Sequence, residues 1–162
     1  MIDPQSIFSL VAELALGLAG FAGVAAAFGG KDRSYAPVEI FRLMSLFIVA
    51  FLALALSLVT ISLLALGFAH SDAYRFASIA GAITQGPAAA FFIYRVFVAL
   101  RDPDSVTGPG AVAATVFGSS LSLGLFVASA LSPETPGFLA LALSVQLLFG
   151  LWLFTRILLH RN

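Results

Sequence analysis

The sequence predicts an all-α membrane protein, a polytopic bundle of five transmembrane helices with its N-terminus outside and its C-terminus in the cytoplasm. Three observations carry that prediction. The 162 residues are 60% hydrophobic and only 10% charged, whereas soluble domains run about 45–50% apolar and about 25% charged. Mean hydropathy is +1.05, and 16 Phe residues add more large apolar side chains than one soluble core of this length can hide. Five segments are close to or beyond the length of about 20 mostly apolar residues that crosses about 30 Å of hydrocarbon.

The spans follow in order, each set off by polar punctuation. The first covers 7–29 and carries one acid, Glu13. Gly29-Gly30-Lys31-Asp32-Arg33-Ser34 reads as a loop, and Pro37 suits a helix start. The second span, 43–68, has no charge, and its Leu, Ala, Val and Ile suit a lipid-facing outer helix. Its Ser57, Thr60 and Ser62 can bond their own helix backbone. His70-Ser71-Asp72 closes it, with Ser71 or Asp72 as a cap for the third span. That third span, 76–94, contains Gln85 and Pro87, and Pro87 predicts a kink. The fourth covers 110–131, after the polar connection from Arg101 to Gly110. Ser132-Pro133-Glu134-Thr135-Pro136-Gly137 makes a tight turn into the fifth, 137–159, which holds Gln146 and, near its end, Arg156. No linker is long enough to separate domains, so one transmembrane domain over 1–162 is expected. The first segment reads as a true span rather than a secretory signal. Residues 1–6 hold Asp3 and no Lys or Arg, and the apolar stretch exceeds the usual 7–15 residues.

Charge tests the count. Basic residues favour the cytoplasmic side. Five spans put Lys31, Arg33, Arg42, Arg95, Arg101, Arg156 and Arg161 on one side and leave Arg75 on the other, seven against one. Dropping the third span gives three against five, a much poorer topology. Arg42, Arg95 and Arg156 then lie near cytoplasmic helix ends, where they can snorkel to headgroups.

Small residues mark where helices touch in lipid. The first span has Ala15, Ala19, Gly23 and Ala27 at four-residue spacing, and Glu13, Gly17, Gly20 and Ala27 are expected close to the same face. The third has Ser78, Ala82, Gly86 and Ala90, and the fourth has Ala114, Gly118 and Ser122 beside Ser120 and Gly124. The first, third and fourth helices are therefore expected to form the packed interior. Tyr74, Tyr94 and Trp152 are expected at the membrane interfaces.

Few residues could carry chemistry. An ionised carboxylate inside a span is costly and normally faces protein or water. Four placements fit Glu13: bonded to a neighbouring helix, paired with Arg75, held in a subunit interface, or ringing a pore as acid rings do in cation channels. Gln85 and Gln146 are buried amides that need partners. The net formal charge of zero leaves no basic surface for nucleic acid. Without Cys there is no thiolate chemistry. His70 and His160 fall at opposite membrane faces, so neither a metal site nor a cofactor is expected. Residues 31–33 and Glu39 read as a solvated interfacial loop. No paired carboxylates, Ser/His/Asp set or phosphate-binding Gly loop is present, and an enzyme is not expected.

Ala12-Glu13-Leu14 followed by Gly17-Leu18-Ala19-Gly20-Phe21-Ala22-Gly23-Val24 resembles the opening of a group of small uncharacterised bacterial multi-span inner-membrane proteins, in which an "AE" precedes a "G-x-x-GF-x-x-V" helix. Phe41 to Leu46 looks like the Arg-bearing start of that group's second span. Tyr74-Arg75-Phe76-Ala77-Ser78 is similar to its "WR-x-x-S" opening of the third, with Tyr74 in place of Trp. Trp152 to Ile157 is similar to its aromatic end. The resemblance implies a bacterial inner membrane and the same span order, and no activity. Glu13 among small residues is also similar to the first helix of Orai-type calcium channels, although here the helix has the opposite orientation and lacks a basic cytoplasmic extension. The expected function is therefore a self-associating helix bundle with a cation or proton pathway near Glu13. The alternative is an accessory or assembly subunit of a larger membrane complex.

Overall fold

The computed structural model of the chain describes residues 4–29, 37–101 and 109–159. They form five α-helices: α1 (Pro4–Gly29), α2 (Pro37–Ala65), α3 (His70–Leu100), α4 (Pro109–Leu131) and α5 (Pro136–Leu159). Each is long and apolar enough to cross a membrane, and no strand occurs among the described residues. The expected loop around 30–36 and most of the polar connection after Arg101 lie outside the described residues, as does His160.

Helix starts follow proline chemistry. Four of the five helices begin on a Pro, whose fixed φ suits the first turn and whose missing N–H would have no intrahelical partner there. The exception, α3, begins six residues before its expected start, at His70. The α2–α3 turn is made by Gly67 instead of by His70-Ser71-Asp72. Gly67 adopts φ 84°, a left-handed conformation natural to glycine. Its N–H donates to the Leu64 carbonyl (3.0 Å) and the Phe68 N–H donates to the Leu63 carbonyl (3.1 Å). This paired pattern is the Schellman termination. Ser71 and Asp72 therefore lie inside the first turn of α3, where the Asp72 carboxylate faces the positive end of the helix dipole. The α4–α5 turn is local as well. The Thr135 N–H and Oγ1 both donate to the Ser132 carbonyl, at 3.2 and 3.1 Å, just before Pro136.

The chain divides into two compact units, Met1–Ser62 with Gln146–Asn162, and Leu63–Val145. In the first unit α1 buries Phe8, Val11, Ala12, Ala15, Ala19 and Ala22. Gly150 of α5 is the close approach. A Cβ there would lie 2.8 Å from Leu18 Cδ2, 3.3 Å from Val49 Cγ1 and 3.5 Å from Leu46 Cδ1. Three helices thus meet over one missing side chain. Phe21 and Phe154 add a tilted ring contact at 6.5 Å between centroids.

The expectation that α2 is an outer helix is corrected. It is the most buried of the five, with 39% of its apolar window buried against 28–33% for the others. Apolar sequence said only that α2 tolerates lipid. Its row of Ser45, Val49, Ala53, Leu56 and Thr60 is narrow enough to let neighbours close on it. Thr60 donates to the Leu56 carbonyl at 2.7 Å as expected, whereas the Ser57 hydroxyl is buried with no hydrogen-bond partner.

The second unit is built on the α3–α4 pair. A Cβ on Gly81 of α3 would fall 2.5 Å from both Cδ1 and Cε1 of Phe126 on α4. The Phe126 ring therefore rests directly on the α3 backbone, and it is fully buried. Ser78 Oγ lies 2.7 Å from Ser129 Oγ and 2.6 Å from the Tyr74 carbonyl. One hydroxyl proton cannot serve both, so Ser78 donates to the Tyr74 carbonyl and accepts from the Ser129 hydroxyl. Tyr74 is buried, at 2% exposure. Its ring meets His70 edge-on at 6.1 Å.

Candidate functional site

Helix α1 has two faces of opposite character. Its Ala15–Ala19–Ala22 row is buried, and at 100° per residue Glu13, Gly17, Gly20 and Val24 fall on the opposite side, which corrects the expectation that Glu13, Gly17 and Gly20 share the alanine packing face. All four are exposed. A Cβ added at Gly17 or Gly20 would meet nothing within 4 Å, and the same holds at half-buried Gly23. Leu10 and Leu16, 55% and 61% exposed, flank the row. No described side chain bonds the Glu13 carboxylate. Glu13 lies nine residues after Pro4, about 13 Å into the helix. The chain thus places one acid and two glycines side by side on an outward face of a membrane-length helix. Beside it lies a shallow apolar groove of the same unit, lined by Leu14, Leu18, Leu147, Leu148 and Leu151.

The α3–α4 pair holds most of the other buried polar groups. Helix α4 has one buried row, Thr115, Ser119, Ser122, Phe126 and Ser129, at alternating four- and three-residue steps. Helix α3 answers with Ser78, Gly81, Gln85 and Ala89. Gln85 is 5% exposed and engaged within the protein. Gln146 of α5 is 2% exposed and likewise engaged, in the first unit. Pro87 does not break α3, which runs on to Leu100. Pro87 and Ile83, whose carbonyl loses its usual N–H partner to the proline, are on the exposed face, about half a turn away from Gln85. That carbonyl therefore does not open toward the buried polar row.

The remaining sequence-marked positions sort by helix geometry. Ala15, Ala19, Gly23 and Ala27 pass from buried through half-buried to exposed, and Ser78, Ala82, Gly86 and Ala90 do the same. A strict four-residue step advances 400°, so each step rotates 40° off the starting face. Ser122 is buried and Gly118 half-buried. A Cβ at Gly86 would meet nothing within 4 Å. Sequence reasoning missed Gly81, Gly150, Ser119 and Ser129. The alternating 4-3 steps from Thr115 to Ser129 are the signal that reveals the last two.

Among the described residues, no three His, Asp or Glu side chains gather as a metal-ligand set. Comparison with protein-family models, with curated proteins and with solved structures finds no match. The chain is an integral membrane protein by its own composition and architecture, with five helices fit to cross a bilayer.

Proposed function

We propose that this protein self-associates in a bacterial inner membrane through the Glu13–Gly17–Gly20 face of α1, and that Glu13 lines a cation or proton path at that interface. The observation that carries the reading is the joint exposure of the acid and the two glycines. A carboxylate at that depth is costly in hydrocarbon and calls for protein or water beside it. Glycines on the same face remove the side chains that would hold a neighbouring helix away. A second copy of α1 supplies both a covering surface and a ring of like acids, the arrangement that attracts cations in channels. The lipid bilayer and further copies of the chain are its partners.

The test is the stoichiometry of the protein in mild detergent or nanodiscs, read by native mass spectrometry. Wild type is expected as a homo-oligomer, and Gly17→Leu/Gly20→Leu as a smaller species with the same helix content. In proteoliposomes Glu13→Gln is expected to abolish proton or cation flux. A monomer, or an oligomer indifferent to both glycine changes, overturns the interface. Unchanged flux in Glu13→Gln removes the acid from conduction. A stoichiometric foreign subunit on this face would instead mark an accessory protein of a larger complex.

A further inference from the structure

Two features of the first unit stand side by side on α1. One is the Glu13 carboxylate, on the outward face about 13 Å into the helix. The other is the apolar groove between α1 and α5, about 180 Å³ in volume and lined by Leu14, Leu18, Leu147, Leu148 and Leu151. Two contacts hold these helices parallel and in step, Leu18 against Gly150 and Phe21 against Phe154. The groove therefore runs along α1 from Leu14 to Leu18, and it begins at the depth of Glu13.

Neither feature is complete alone. The groove is smaller than the pockets of about 300–1,000 Å³ that enclose a whole small molecule. It takes one ring or one short alkyl segment. The carboxylate calls for a cation or a hydrogen-bond donor at its own depth. The described bases of this unit, Arg42 and Arg156, fall near helix ends instead. The way between acid and groove is open. Leu14 stands 100° from Glu13 on a cylinder about 10–12 Å across, so the groove edge is about 8–9 Å from the acid. Gly17 lies between them, and a Cβ there would meet nothing within 4 Å. A lipid tail fills the groove and leaves the acid unanswered. A phosphate headgroup is repelled by the acid. A metal ion answers the acid and leaves the groove empty. A molecule with an apolar body and one positive charge answers both.

We propose that Glu13 and the α1–α5 leucine groove together bind a lipophilic cation, an alkyl- or arylammonium whose apolar part lies in the groove and whose charge reaches over Gly17 to the carboxylate. The inference names the class of cation for the path assigned to Glu13. It rests on that assignment and not on self-association. The charges meet at hydrocarbon depth, where an ion pair is much stronger than in water. The leucines select for the apolar body, each buried methylene raising affinity about fourfold.

The test is equilibrium binding of radiolabelled decyltrimethylammonium to the full chain in zwitterionic nanodiscs, with empty nanodiscs measuring partition into lipid. Saturable binding above that background is expected, displaced by unlabelled probe and not by decanol, which has the same chain without the charge. Glu13→Gln is expected to weaken it about tenfold or more. Leu148→Trp/Leu151→Trp fills the groove from its exposed rim. It is expected to weaken binding about tenfold and to leave proton or inorganic-cation flux as in wild type. Both variants change outward positions, and far-UV circular dichroism checks that helix content is kept. Binding no greater than to empty nanodiscs, or binding unchanged in either variant, overturns the proposal. If flux still depends on Glu13 in that case, only the ligand class is wrong. If flux is also indifferent to Glu13→Gln, the reading of Glu13 falls with it.

Discussion

Placing a methyl group on Gly81 tests the α3–α4 packing directly. In Gly81→Ala the new Cβ would stand 2.5 Å from two ring carbons of Phe126, where ordinary carbon contacts are about 3.5–4.0 Å. About 1 Å or more must be recovered. The Phe126 ring is fully buried and cannot swing out, so the helices must separate. Separation by 1 Å would stretch the 2.7 Å Ser78–Ser129 bond one turn away past hydrogen-bonding distance. Overpacking of this kind costs about 1–3 kcal/mol. The gain from replacing glycine by alanine in a helix offsets up to about 1 kcal/mol. The expected net loss is about 1–2 kcal/mol. It is measured by SDS titration of the micelle-bound protein, followed by far-UV circular dichroism. Phe126→Leu, which removes the ring, should relieve the clash and give a coupling of at least about 1 kcal/mol in the double-mutant cycle. Wild-type stability for Gly81→Ala, or additivity within about 0.5 kcal/mol, would refute the close approach.

Other expectations follow from the same contacts. Gly150→Ala should be milder than Gly81→Ala in the same titration, because its nearest neighbour is the far end of the flexible Leu18 side chain, at 2.8 Å. Gly67→Ala forces a side chain into φ 84° and should lose about 1 kcal/mol, with Gly67→Asn losing less. Ser78→Ala and Ser129→Ala should each lose about 0.5–1 kcal/mol, and the double variant should lose little more than either single one. Pro87→Ala restores a backbone donor on the exposed face of α3 and should raise Tm while leaving proteoliposome flux unchanged.

The membrane class was legible in the sequence because solvent preference is a bulk property. Sixty per cent apolar residues, broken by short polar runs, leave few alternatives. Helix ends were legible where proline or a tight turn marks them, as at Pro37 and Pro136. They were missed at α3, where six residues from His70 to Arg75 look polar yet continue a helix. Which face of each helix is buried was less readable. The sequence is nearly as apolar on lipid-facing sides as inside, so hydropathy cannot tell them apart. Spacing can, but only when the step matches 3.6 residues per turn. The rows beginning at Ala15 and Ser78 rotate out of contact, while the 4-3 row through Ser119, Ser122 and Phe126 holds its face. Glu13 was legible as an anomaly from the first span alone. That it shares an open face with Gly17 and Gly20 required knowing that α1 packs through its alanines.

The most direct measurement is the number of membrane crossings. The chain has no cysteine, so single substitutions at Gln5, Ser71, Arg101 and Glu134 give clean probes for a membrane-impermeant maleimide on intact spheroplasts. Five crossings with the N-terminus outside, as the distribution of basic residues predicts, expose Gln5, Ser71 and Glu134 to the reagent and protect Arg101 until the membrane is opened. Labelling of Gln5 and Arg101 from the same side would contradict that order and remove the basis for placing Glu13 in hydrocarbon.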